Sequence, residues 1–365
     1  MSETKRVVIA MSGGVDSSVT AALLKRAGYD CTGVFMCFGQ APKGATSHPG
    51  CCSPQDANDA KDVAALLGIK FSILNFQYEL ERIIDYFINE YRGARTPNPC
   101  ILCNSQLKFG KLLQYASAMD ADYIATGHYA QIRSESGRPR LARGVDSDKD
   151  QSYALFNVSR QSFEKILLPL GAYTKKQVRQ IAAEENLPVK HKAESQEICF
   201  VPDNDYASLI AARAPELCKT GNVVDSAGKV LGEHQGIFRF TIGQRRGLGI
   251  ATGKPIYVIG LDSQTNTVVL GSRDELLQNR LWADNVNWLV DSPPSQSFDA
   301  VVQIRYNNRG APATVTPSTD ADGMTKVVVD FHQPVTAITP GQAAVFYDEN
   351  NQVIGGGWIV RGQKI

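Results

Sequence analysis

A chain of 365 residues with 43% hydrophobic and 21% charged residues is long enough for two or three domains with their own cores, and its composition is that of an ordinary globular protein. No apolar run approaches the roughly 20 residues of a membrane-spanning helix, and Lys5-Arg6 leads straight into a strand with no cleavable signal region, so a cytoplasmic protein without a membrane partner is expected. A net charge of +1 excludes a global pull on nucleic acid, and any such partner must be held by local Lys and Arg patches.

The apolar run Val7 to Ala10 precedes Met11-Ser-Gly-Gly-Val-Asp-Ser-Ser18, and Val19 to Ala27 has helical period. Strand, glycine loop and helix follow one another. Two adjacent glycines let the backbone turn tightly and aim several N–H groups at one point, where a helix N-terminus adds partial positive charge. Ala10, Met11, Ser12, Gly13, Gly14, Val15, Asp16 and Ser17 are the candidate cofactor-binding residues around this phosphate loop, with Asp16 the candidate Mg2+ ligand. A glycine-serine turn ahead of a helix is also a common connector. The loop lacks the Lys of G-x-x-x-x-G-K-[ST] and the spacing of G-x-G-x-x-G, which excludes a P-loop NTPase and a dinucleotide reader.

Alternation continues through Thr32–Phe38, Asp56–Leu67 ending at Gly68, Phe71–Phe76, Glu79–Tyr91, Asn104–Met119 and Tyr123–Thr126. This pattern predicts an α/β domain with a Rossmann-like, doubly wound parallel sheet, whose ligands bind beyond the C-terminal ends of the strands. Thr174-Lys-Lys-Gln177 reads as a capping box for a helix running to about Asn186 and stopped by Pro188. The first domain is expected to span 1–202. A helix around Asp205–Ala212 and short strands from Thr220 suggest a small β-rich central module over 203–280. Strands at Val301–Tyr306, Lys326–Phe331, Ala343–Tyr347 and Trp358–Val360 suggest a C-terminal antiparallel β-barrel over 281–365.

Cys100 and Cys103 sit just before the predicted helix that carries Lys108 and Lys111, and a C-x-x-C at a helix start favours thiolate. Alone, the pair reads equally as a zinc half-site, a redox pair or buried thiols. Cys199, at the end of a strand-like run, reads by residue type as a buried apolar cysteine. Met36 reads as core packing, His128 as a satisfied imidazole, and the charged loops as solvated surface. Arg245-Arg246, set between glycines, reads as a mobile phosphate-gripping loop. Cys31, Cys37, Cys51, Cys52 and Cys218 carry no role beyond structure.

The segment Ser12–Ser18 resembles the pyrophosphate loop of enzymes that split ATP between its α and β phosphates. Further blocks lie at Thr96–Asn104, Thr126-Gly-His-Tyr-Ala130, Lys149-Asp-Gln-Ser-Tyr153, Glu194–Phe200, Phe240–Leu248 and Ile304-Arg-Tyr306. In this order, over nearly the whole chain, they resemble the tRNA-specific 2-thiouridylases, which replace the C2 oxygen of the wobble uridine with sulfur. The resemblance implies that ATP adenylates that oxygen and pyrophosphate leaves into Ser12–Ser18. It implies a persulfide on Cys199 and a nucleophilic Cys103, with a Cys103–Cys199 disulfide left behind. Met36 and Gly127 match positions that frame adenine. Asn98, Pro99, Cys100, His128, Lys149, Asp150, Gln151, Arg305, Tyr306 and Gln342 match tRNA-contacting positions, and the barrel would grip the anticodon arm while the uridine is flipped from its stack. Sulfur would come from a persulfide carrier, ultimately a cysteine desulfurase.

One position departs from the pattern: Cys100 stands where a number of relatives carry an Asp proposed as acid or base. A thiol of lowered pKa could fill that role. A lesser reading has Cys100, Cys103 and Cys199 ligating a 4Fe-4S cluster with one iron open to sulfide. The rival functions are a pyrophosphate-loop synthetase that adenylates a small metabolite and an RNA-binding protein that takes ATP only as a regulatory ligand.

Overall fold

The computed structural model describes residues 4–39, 53–135, 137–194, 198–201, 205–250, 253–319 and 323–364. Cys51, Cys52 and the 195–197 part of the block before Cys199 lie outside them. Two compact units divide the chain: Met1–Ile84, Cys100–Asn204 and Asn351–Val353 form one, and Asp85–Pro99, Asp205–Asn350 and Ile354–Ile365 the other.

In the first unit, strands β1 (Arg6–Ala10), β2 (Asp30–Cys37), β3 (Lys70–Asn75), β4 (Tyr123–Ala125) and β7 (Ile166–Leu167) make a parallel sheet in the order β3-β2-β1-β4-β7. Helices α1 (Val15–Arg26), α2 (Pro54–Leu67) and α6 (Lys175–Glu184) accompany it, and α3 (Gln77–Arg92) follows β3 in the chain. Val7, Ile9 and Phe35 are buried with Val19, Val63 and Val178 in one core, the unbroken apolar environment a parallel sheet requires. Successive strands run outward from β1 on one side, whereas β4 lies on its other side. The order reverses between β1 and β4, so the segments after those two strands flank the crevice where ligands of such sheets bind.

Helix α1 starts at Val15 rather than Val19 because Gly14 serves as its N-cap. Its polar residues can be buried because Ser18 Oγ donates to the Gly14 carbonyl (2.8 Å) and Thr20 Oγ1 to that of Asp16 (2.9 Å), within the helix itself. Gly68 ends α2 at φ 62°, and the Thr174–Gln177 capping box opens α6 as expected. The helix expected from Asn104 begins at Pro99: α4 (Pro99–Leu102) runs into a π-helical stretch (Cys103–Lys111) and then α5 (Leu112–Ala118). The C-x-x-C therefore lies inside the first turns rather than ahead of them. Pro99 suits a first helical position, where its missing N–H costs nothing. The hairpin β5 (Ala130–Glu135) with β6 (Arg138–Arg143) was not anticipated.

In the second unit, α7 (Tyr206–Arg213) is capped by Asp205, whose carboxylate accepts from Ser208 N–H. Strands β8 (Gly221–Asp225), β9 (Val230–His234), β10 (Tyr257–Asp262) and β11 (Thr267–Gly271) form a sheet in the order β10-β11-β8-β9 around Val223, Phe240, Val258, Val268 and Leu270. A closed barrel follows, of β12 (Leu277–Trp288), β13 (Phe298–Gln303), β14 (Ala311–Thr319), β15 (Thr325–Thr336), β16 (Ala343–Tyr347) and β17 (Val353–Lys364). Along β15, Val327, Val329 and Phe331 point inward and alternate with Val328 and Asp330. No helix among the described residues is long and apolar enough to cross a membrane.

Candidate nucleotide and cysteine site

The glycine loop is held from within and from two neighbouring segments. Gly13 has φ 73°, and a Cβ there would lie 2.2 Å from the Asp56 carbonyl oxygen at the start of α2. Ser12 N–H donates to Ser17 Oγ (3.1 Å), which in turn donates to the Gly14 carbonyl (3.2 Å). On the other flank, Gly127 after β4 approaches so closely that a Cβ would be 2.9 Å from Asp16 C and Ser17 N. Ala10, Met11 and Val15 are buried beneath the loop, while Ser12 is exposed. Backbone N–H groups at a helix N-terminus are thus presented at the crevice in the geometry an anion uses.

Two lysines that escaped the sequence reading reinforce this loop. Lys192 Nζ donates to the Gly13 carbonyl (3.0 Å), Asp56 (2.5 Å) and Asp59 (2.5 Å), which fastens the glycine turn to α2. Burial alone would push the Asp59 carboxyl up, but hydrogen bonds from Lys192 and Gln55 outweigh it and hold it below the usual range. Lys175 Nζ, on the first turn of α6, lies 2.8 and 2.9 Å from the two Asp16 oxygens and 3.2 Å from Glu194. Tyr129 OH also donates to Asp16 (2.7 Å). Hydrogen bonding by Lys149, joined by Lys175 against the opposing effect of burial, keeps the Glu194 carboxyl low. Lys192 sits in no motif and Lys175 only in the capping box of α6, which says nothing of a phosphate; only the folded chain brings them to the loop.

This arrangement does not fit the expected Mg2+ ligation by Asp16. Its carboxylate is engaged by an ammonium and a phenol, and a dication added at hydrogen-bonding range of Lys175 would meet strong like-charge repulsion. The expected cluster ligands are not gathered either. Among the described residues, which include Cys100, Cys103 and Cys199, no group of three or more His, Cys, Asp or Glu side chains is placed to hold a metal ion. Cys100 is exposed in the first turn of α4, whereas Cys103 is half-buried where the π-helical stretch opens.

Cys199 is half-buried in a turn, not at a strand end, because the Val201 N–H closes back on the Ile198 carbonyl (2.8 Å). Phe200, beside it, packs on the cluster Phe76, Ile83 and Leu107, and so do Cys103 and Met36. The end of β2, the start of the π-helical stretch and the Cys199 turn thereby share one apolar patch. A π-helical stretch is uncommon and often marks a functional position.

Several tRNA-contact candidates have internal duties. Asp150, its side chain 5% exposed, accepts from Gly144 N–H (2.9 Å), Ser152 N–H (3.1 Å), Ser152 Oγ (2.8 Å) and Arg143 (3.1 Å). Gln151 Oε1 accepts from Tyr129 N–H (2.9 Å), and Lys149 Nζ donates to Glu194 (2.7 Å). His128 is 7% exposed, with Nδ1 2.7 Å from Thr126 Oγ1 and its ring beside Phe109. In the second unit, Gln342 Nε2 donates to the Thr96 carbonyl (2.7 Å), close to half-buried Asn98 and buried Pro99 in sequence. Gln303 Nε2 bonds the carbonyls of Arg305 and Tyr306, and Tyr306 is exposed. Arg245 and Arg246 are exposed, and Arg245 lines a cavity of about 600 Å³ with Gly247, Gly249 and Lys254.

The His128 environment makes a pH prediction. Burial, with a smaller contribution from the charge of Lys108, holds the imidazole well below its ordinary pKa, so it is neutral when folded. The unfolded chain takes up a proton below about pH 6.5. Stability is therefore complete above that value and falls, by up to about 1.4 kcal/mol per pH unit, as pH drops from it towards the depressed folded value. Chemical denaturation at about pH 7.5 and about pH 5.5 should show a loss that His128→Gln reduces; equal pH dependence in both proteins would contradict the assignment.

The chain matches three consecutive family models: a tRNA methyl transferase HUP domain over residues 5–203, a tRNA methyl transferase PRC-barrel domain over 210–272 and an aminomethyltransferase beta-barrel domain over 278–359. The tRNA-specific 2-thiouridylase MnmA of Carboxydothermus hydrogenoformans is 49% identical over 97% of both chains. MnmA 1 of Thermoanaerobacter sp. is 46% identical over 99% of both, and MnmA of Rhodopirellula baltica 43% identical over 97% of this chain and 96% of its own. Among solved structures, an NMN synthetase from Francisella tularensis is 17% identical over 53% of this chain and 67% of its own, with a TM-score of 0.33, too low to carry an argument. At such identity along its whole length to relatives of this one kind, the chain belongs to the tRNA-specific 2-thiouridylase family.

Proposed function

We propose that this protein is an ATP-dependent sulfurtransferase that thiolates C2 of the wobble uridine of tRNA, in the cytoplasm where that substrate resides. Residues 1–202 form the nucleotide and catalytic domain, 203–280 a central module and 281–365 the tRNA-contacting barrel, a division supported by the extents of the three family matches. Two observations in the same unit carry the reading: a glycine loop at the crevice of the sheet, and the packing of Cys103 and of Phe200, next to Cys199, on one apolar cluster.

The chemistry follows from leaving-group ability. Oxide cannot leave C2 of uridine, so attack of the C2 oxygen on the α-phosphorus of ATP forms an adenylate and expels pyrophosphate, received by the N–H groups of Ser12–Ser18. Met36 and Gly127 bound the adenine. The terminal sulfur of a Cys199 persulfide attacks C2 and AMP departs. Cys103 thiolate then attacks Cys199 Sγ, leaving the sulfur on the base and a Cys103–Cys199 disulfide. Two cysteinyl sulfurs are oxidised as the sulfane sulfur is reduced, so a reductant and a fresh persulfide from a carrier protein or cysteine desulfurase complete the cycle. Such a disulfide needs Cα atoms within about 7 Å, which the shared packing of Cys103 and Phe200 favours. Cys100, exposed one helical turn from Cys103, is the proton-transfer candidate in place of the Asp of other members.

Unmodified tRNA should stimulate release of pyrophosphate and AMP from ATP, even without a sulfur donor for the first product. Pyrophosphate release indifferent to tRNA, or driven instead by ammonia and a small metabolite, would refute the reading. Asn98, Pro99, Cys100, His128, Lys149, Asp150, Gln151, Arg305, Tyr306 and Gln342 are assigned to tRNA, with Arg245 and Arg246 on its phosphates. Replacing both arginines by alanine should weaken tRNA binding and lower the slope of log affinity against log salt by about 2, one for each arginine–phosphate pair removed. An unchanged slope would remove them from the interface.

A further inference from the structure

The loop that receives pyrophosphate is lined by neutral N–H and hydroxyl donors, and two ammonium groups flank it: Lys192 Nζ is tied to the Gly13 carbonyl, Asp56 and Asp59, whereas Lys175 Nζ reaches Asp16 on the first turn of α1. Its position is fixed on three sides. The Thr174 capping box sets the start of α6, Lys175 N–H donates to Asp146 (2.8 Å), and the ammonium reaches both oxygens of Asp16 and one of Glu194. The side chain is 12% exposed and its Nζ sits 5.7 Å from the centroid of the Tyr129 ring. Asp16 and Glu194 both accept from this one ammonium, which fixes where it points. Asp16 is the second residue of α1, beside the backbone that Gly127 presses against.

Resting on the pyrophosphate-loop reading above, we infer that Lys175 is a phosphate-binding residue of this enzyme and that Asp16 is its positioning residue rather than a magnesium ligand. A polyphosphate entering the loop brings several negative charges to donors that are individually neutral. A compact ammonium already aimed at the first turn of α1 answers them as a point charge, which is how lysine serves phosphate elsewhere. Because Tyr129 and Asp16 hold the ammonium in place, little side-chain entropy remains to be lost on binding.

The test is calorimetric titration of the full chain with α,β-methylene-ATP at a series of magnesium concentrations, with thermal melts of every variant. Lys175→Met and Asp16→Asn should each weaken binding roughly ten- to hundredfold, the worth of one charge-assisted hydrogen bond. The double variant should bind about as weakly as the weaker single one, since both changes remove the same interaction. Lys175→Arg should recover part of the affinity, and Asp16→Asn should leave the half-saturating magnesium concentration where it was. Wild-type affinity in folded Lys175→Met would overturn the inference, as would a magnesium requirement raised by Asp16→Asn. Should Lys175→Met not fold, Lys175→Gln is held to the same criteria. If the unaltered protein binds no nucleotide, or Gly13→Ala binds it normally, the loop reading itself falls and the inference with it.

Discussion

Cys199→Ser and Cys103→Ser should each abolish 2-thiouridine formation, by roughly a thousandfold or more, because a hydroxyl can neither carry a persulfide nor close an S–S bond. Both variants should remain folded. The side chains are half-buried, and exchanging sulfur for oxygen at such a site costs about 1 kcal/mol. They should also still release pyrophosphate from ATP in the presence of tRNA, since adenylation precedes the sulfur step. Nucleoside analysis of the treated tRNA and pyrophosphate release measured on the same samples separate the two half-reactions. Thiolation at the wild-type rate in either variant would remove the persulfide-and-disulfide mechanism, and loss of both half-reactions would relocate the cysteines to the nucleotide step.

Gly13→Ala should cost nearly as much, for a different reason. At φ 73° an alanine is strained by roughly 1–2 kcal/mol, and its Cβ would sit 2.2 Å from the Asp56 carbonyl oxygen, which α2 holds rigidly. Either the loop or the start of α2 must shift by about 1 Å, and a displacement of that size in a positioned site costs about a hundredfold. The Lys192 bridge from the Gly13 carbonyl to Asp56 and Asp59 stretches in the same movement. Nucleotide affinity and pyrophosphate release should both fall about a hundredfold while tRNA binding is kept. Unaltered kinetics in folded Gly13→Ala would show that the loop does not hold the phosphates.

The parts of this molecule legible in the sequence are those written in local patterns. Val7–Ala10 followed by two glycines marked the position of the crevice, Gly68 and Thr174–Gln177 marked helix ends through local hydrogen bonds, and period-2 alternation in β15 announced the barrel. Strands with polar outward faces, such as β12 and β14, or only two residues of ladder, such as β7, left too little apolar signal. The start of the helix at Pro99 was missed although Asn98-Pro99 is a helix-start pair, because the helical apolar period becomes clear only further along, and nothing local announces a π-helical stretch. Lys175 and Lys192 were invisible for a stronger reason. Each lies well over a hundred residues from a carboxylate it bonds, so only the fold supplies the pairing of Lys175 with Asp16 and of Lys192 with Asp56.

The most direct measurement is mass spectrometry of the nucleosides of an unmodified tRNA after incubation with this protein, ATP and a persulfide donor. The account predicts one 2-thiouridine at the wobble position, formed only with ATP and lost in Cys199→Ser. Absence of 2-thiouridine from tRNA that the protein binds, or its formation without ATP, would contradict it.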